Sequence, residues 1–219
     1  MAVRLLDVMI ASVYRRMLIQ KAIKSIHSMP GSWVRVDHVS RTLGGLDLCL
    51  SVHEGRRGKT VDSWIVTCRG IHEIHITELD GGGLALYPTS HPAAQQYVAR
   101  YAELRWPRNS NEANVIAKLH RAHAKAVDDW IPFDRYLLFN VYWIAPSFAP
   151  VSGDNFVCRG PEFLLRAYAK ALRTIGEQAR VTLRGSPKAK PIRPNVLHFG
   201  TSYVVANAFG AVHLAKVRS

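Results

Sequence analysis

Hydrophobic and polar positions alternate with a period of two through much of the first ninety residues. Leu46, Leu48 and Leu50 are separated by Asp47 and Cys49, the signature of a strand with one buried face. Trp33 to Val39, rich in Val and Trp, predicts a strand before it, and Val61 to Cys68 predicts one after it. The intervening Glu54–Lys59, Glu-Gly-Arg-Arg-Gly-Lys, predicts a hairpin turn with a basic tip. Ile74, Ile76 and Leu79, set among His75 and Thr77, predict a further strand. Asp80-Gly81-Gly82-Gly83 then precedes the apolar run Leu84 to Tyr87, and this predicts a second hairpin, because glycine reaches positive φ without strain.

Elsewhere the period lengthens to that of a helix. Leu5, Met9, Val13 and Met17 fall four apart, so residues 1–28 read as an N-terminal amphipathic helix. Arg4, Arg15, Arg16, Lys21 and Lys24 against the single Asp7 make it basic, and Pro30-Gly31-Ser32 ends it. The same composition describes an organelle transit peptide, the minor reading of this segment. Pro92 opens a helix carrying Tyr97, Tyr101 and Leu104 on one face, with Trp106-Pro107 as its stop. Asn109 and Glu112 form a capping arrangement for a helix through Val115, Leu119 and Ala126, which Pro132 limits. Tyr136 to Ile144 reads as a buried strand. Pro161 opens a helix with Phe163, Leu164, Tyr168, Leu172 and Ile175 inward, and Gly176 closes it. Val181 to Leu183 and Val196 to Phe199 suit short strands, and Tyr203 to Phe209 fits either type.

Strands early, helices in the middle and both again at the end predict an α+β fold: a mainly antiparallel sheet with three to four helices in a single compact domain over 29–219. A sub-boundary near 107–110 or 145–155 is the alternative. Hydrophobic content of 48% argues against bulk disorder. The three cysteines, Cys49, Cys68 and Cys158, have no metal-ligand spacing and read as small buried hydrophobes in a reducing compartment. No apolar run is long enough to span a bilayer, so the expected location is the cytoplasm.

Charge adds what periodicity does not give. The chain carries a formal net charge of +13 at pH 7. Residues 135–219 hold 12 Lys/Arg against 3 Asp/Glu, whereas residues 71–134 hold 6 against 8. A surplus so placed repels itself unless an anionic partner is near, which points to nucleic acid, RNA or DNA. Arg180 and Arg184 alternate onto one strand face, and Lys188, Lys190 and Arg193 follow, spaced by proline and alanine. Arg56, Arg57 and Lys59 at the hairpin tip extend the candidate phosphate-binding set. This reading requires the tail's cations to converge on one surface rather than be neutralised by the central carboxylates.

The chemical motifs are sparse. Asp80-Gly81-Gly82-Gly83 lacks the Gly-Lys-Ser/Thr of a P-loop and the spaced glycines of a dinucleotide site, so no cofactor is expected. His120 and His123 share a helix face, but there is no third ligand, so no metal is expected and surface histidines are the simpler reading. Glu73 and His75 share a strand face and suit an acid/base pair. The expected function is non-enzymatic nucleic-acid binding. The alternatives are a protein-interaction module, such as an immunity or assembly subunit with a cationic face for an acidic protein, and a nucleic-acid-processing enzyme using His75, His120 or His123.

Overall fold

The computed structural model describes residues 19–29, 31–55, 58–107, 112–136, 155–184 and 192–215. It is α+β with antiparallel pairing throughout both sheets, as the sequence pattern predicts. The chain forms two compact units, residues 1–94 with 192–219 and residues 95–191. Most of the stretches 107–110 and 145–155 lies outside the described residues. No helix among the described residues is long and apolar enough to cross a membrane.

In the first unit the strands are β1 (Ser32–Thr42), β2 (Gly45–Glu54), β3 (Lys59–His75), the two-residue β4 (Asp80–Gly81) and β5 (Leu84–Tyr87). Of the helix expected over 1–28, residues 1–18 lie outside the described residues, and residues 19–27 are helical (α1). The alternation read from Leu46, Leu48 and Leu50 is the burial pattern observed, with all three at most 2% exposed. Val34 and Val36 of β1 and Trp64, Val66 and Cys68 of β3 join them in one core, which Ile19, Ala22 and Ile26 of α1 enter at helical spacing. Each fully buried Leu or Ile there contributes roughly 1.5–3 kcal/mol.

Two expectations fail in this unit. Ile74 is not on a separate strand, because β3 runs on to His75. Nor do the residues flanking Asp80-Gly81-Gly82-Gly83 form a hairpin. β4 pairs with β1 and β5 pairs with a strand from the chain's end, so the glycines carry the chain between opposite edges of the sheet. Of the two apolar runs, Leu84–Tyr87 pairs along its whole length with the strand over 195–199, and only Ile74 of the other lies in a strand.

The second unit starts within α2 (Pro92–Val98), and its strands and helices follow as β6 (Tyr101–Pro107), α3 (Glu112–Val127), β7 (Asn155–Pro161), α4 (Glu162–Arg173) and β8 (Arg180–Arg184). The helix expected over 92–106 therefore stops at Val98. Residues 101–106 alternate Tyr, Ala, Glu, Leu, Arg, Trp, and that period of two wins: Ala102, Leu104 and Trp106 are buried on one side. β6 is the centre of a three-stranded sheet ordered β7-β6-β8. α4 links the two outer strands around it, a split β-α-β arrangement. α3 and α4 pack on the side of Leu104, Cys158 and Val181, with Val115, Leu119, Leu164, Leu165 and Leu172 between the layers.

α4 behaves as read. Pro161 precedes it, Glu162 sits in the first turn, and Lys170 and Arg173 occupy the last, each sign favouring the helix dipole. Gly176 at φ +85° closes it, and the Glu177 N–H returns to the Leu172 carbonyl at 3.1 Å. Arg173 then donates twice to the Ala179 carbonyl, at 3.2 and 2.8 Å, fixing the residue that leads into β8.

The chain returns to the first unit with β9 (Asn195–Phe199) and β10 (Ser202–Ala215). The segment Tyr203 to Phe209, undecided from sequence, is strand. β10 pairs with β3 along nearly its whole length, and Val204, Val205 and Ala206 are fully buried. The order is β4-β1-β2-β3-β10-β9-β5. The strand predicted over Tyr136–Ile144 lies, apart from Tyr136, outside the described residues.

Candidate nucleic-acid interface

With both helices on one side of the β7-β6-β8 sheet, its other side carries the odd residues of β6 and β7 and the even residues of β8. Register places Glu103 between Arg159 and Thr182, Tyr101 between Pro161 and Arg184, and Arg105 opposite Arg180. Cross-strand partners stand about 4.5–5.5 Å apart at Cβ, so these side chains form one surface. Arg105, Arg159, Arg180 and Arg184 all stand exposed on it.

Glu103 organises three of them. Its Oε1 accepts from Arg105 Nε at 2.6 Å and from a terminal nitrogen of Arg184 at 2.9 Å, and its Oε2 accepts from Arg159 Nε at 3.0 Å. The carboxylate is only 1% exposed, whereas the three arginine side chains are 48–56% exposed. Burial alone raises the Glu103 pKa, but the hydrogen bonds from Arg184, Arg105 and Arg159 outweigh it and hold the group down to about 2. Each guanidinium has five N–H donors, so most donors of each remain for another acceptor. For Arg105 and Arg159, binding through Nε leaves the terminal pair, the edge that grips a phosphate bidentately. The surface thus carries four guanidinium groups against one carboxylate among the described residues. A depression of about 420 Å³ opens there, lined in part by Glu103, Arg105, Arg180, Thr182 and Arg184.

The residues expected from sequence divide between the two units. Arg180 and Arg184 share one face, as their alternation predicts, and a carboxylate of the acidic central segment does pair with Arg184. Arg193, exposed, lines a separate depression of about 540 Å³ in the first unit with Tyr87, Ser90 and Asn195. Lys59 is exposed at the start of β3. Arg56, Arg57, Lys188 and Lys190 lie outside the described residues. Arg105 and Arg159 were missed. For Arg105 the signal is the alternation of 101–107, invisible while that stretch is read as helix; Arg159 stands on β7, which the sequence pattern does not predict.

The histidines are placed differently from the surface pair expected. His123 is 4% exposed. Its Nε2 lies 2.6 Å from the Ile131 carbonyl, which can only accept, so Nε2 carries the proton. Nδ1 then accepts from the Tyr168 hydroxyl at 2.7 Å. Burial pushes the Tyr168 pKa up, keeping that hydroxyl a donor. His120 is exposed and meets Phe133 edge-on with ring centres 5.0 Å apart. In the first unit, Glu73 and His75 both reach Tyr203: its hydroxyl donates to Glu73 at 3.2 Å, and the His75 ring stacks on it. Among the described residues no group of three His, Cys, Asp or Glu side chains is placed to hold a metal ion. Cys68 and Cys158 are buried, and burial is the main cause that pushes both thiols up to about 12.

The chain matches no family model, no curated protein and no solved structure.

Proposed function

We propose that this protein binds nucleic acid, gripping phosphates with Arg105, Arg159, Arg180 and Arg184 on the open face of the β7-β6-β8 sheet. The observation that carries this reading is the Glu103 cluster. A lone ion pair on a surface is worth little and explains nothing. Here one enclosed carboxylate fixes three arginines whose side chains remain about half exposed. Ordering the guanidinium groups beforehand lowers the entropy lost on binding, and phosphate oxygens are the acceptors their geometry fits. Glu103 is a positioning residue in this scheme.

The test is fluorescence anisotropy with a labelled oligonucleotide at fixed salt. Arg180→Ala and Arg184→Ala should each weaken binding about tenfold, since a hydrogen bond to a charged group contributes about 1.5–3 kcal/mol. Unchanged affinity in the double variant, with the fold intact by circular dichroism, would remove the proposal.

One observation favours a second reading, an acidic protein partner. A groove of about 520 Å³ on the outer side of α3 and α4 is lined by Lys118, Arg121, Lys125 and Lys170, with alanines such as Ala122 and Ala167 between them. Apolar lining with a cationic rim suits an acidic amphipathic helix. Loss of a protein partner on reversing Lys125 and Lys170 to Glu, with oligonucleotide binding unchanged, would favour it.

A further inference from the structure

Resting on the phosphate-binding reading above, we infer that the preferred ligand is single-stranded, with one base stacked on Tyr101. Tyr101 begins the central strand of the open face, and it is 52% exposed. Its cross-strand neighbours are Arg184 on one side and Pro161 on the other. Leaving half of a tyrosine in water forgoes burial that its neighbours Ala102 and Leu104 achieve fully. An aromatic face beside a guanidinium supplies the two contacts that an unpaired nucleotide offers, a π-surface and a phosphate.

Geometry supports the scale. From Tyr101 to Arg105 is four residues of extended strand, about 13 Å, and the three strands span about 10 Å across. A face of that size has room for a short run of nucleotides, one of whose bases stacks on Tyr101. Arg184 lies next to Tyr101, whereas Arg105 and Arg180 pair at the far end of the same strands. A strand laid along β6 therefore meets an aromatic platform and a cation at one end and two cations at the other. A duplex buries its base faces in its own stack, so Tyr101 has nothing to gain from it beyond contact with the backbone.

The experiment compares a fluorescein-labelled U12 RNA, a dT12 DNA and the duplexes formed with their complements, at one salt concentration, by anisotropy. Wild-type protein should bind the single strands more tightly than the duplexes. Tyr101→Ala should lower single-strand affinity about tenfold and leave duplex affinity unchanged, and Tyr101→Phe should retain single-strand binding. A larger loss on U12 than on dT12 identifies RNA as the source of the ligand, and equal losses identify single strands of either sugar. If Tyr101→Ala changes nothing, or weakens single strands and duplexes alike, the stacking inference fails while the phosphate reading stands. If wild-type protein binds none of the four probes, both fail together. Half-exposed Tyr101 is not part of the core, so the variants keep their fold, as circular dichroism will show.

Discussion

Glu103 sits on an arginine-rich face with its carboxylate enclosed, and its ionisation therefore bears on stability. Its pKa falls from the usual 4.5 to about 2 on folding. A depressed carboxylate stabilises the fold at every pH above the unfolded value and loses that contribution as pH falls through the folded one. Urea unfolding should find Glu103→Gln less stable than wild type at pH 6, with the difference shrinking between pH 4.5 and pH 2. A difference that grows on acidification would contradict the arrangement. His123 gives a second residue-level expectation. Tyr168→Phe removes the hydroxyl that donates to Nδ1, which should cost about 0.5–1.5 kcal/mol in urea unfolding. A neutral result would mean that the ring finds another partner.

Elements set which residues are accessible and which substitutions fit. Cys68 lies on the buried face of β3 and Cys158 on the helix-covered face of β7, whereas Cys49 is half-buried. Iodoacetamide at pH 8 should therefore modify Cys49 alone in the native protein, and all three cysteines in denaturant. Gly160 of β7 is a packing requirement: a Cβ there would stand 2.9 Å from the Tyr136 ring, whose hydroxyl is tied to Gln96 at 2.8 Å. Gly160→Ala should lower stability by about 1–3 kcal/mol, seen as a reduced midpoint in thermal unfolding. Legibility also differed by element. The amphipathic α3 and α4 and the alternating β2 were readable because burial follows their own period. β6 was not, because Tyr97, Tyr101 and Leu104 also satisfy a helical spacing and only pairing with β7 and β8 decides between the two. The Asp80–Gly83 stretch failed for a related reason: turn chemistry marks a reversal without saying which partner each flank will find.

At the scale of the molecule, net charge pointed to an anionic partner, but it did not locate the surface. Of the cations singled out in the sequence, Arg180 and Arg184 meet on one face, while Arg193 and Lys59 belong to the other unit. Arg105 comes from the segment whose charge balance is negative, so no count along the chain could have placed it beside them. The direct measurement is the salt dependence of oligonucleotide affinity between 50 and 200 mM. Four phosphate contacts on a single strand predict a log–log slope of about −2.8, and Arg180→Ala with Arg184→Ala should reduce it by about 1.4. A slope near zero, or one that the double variant leaves untouched, would contradict nucleic-acid binding by this face.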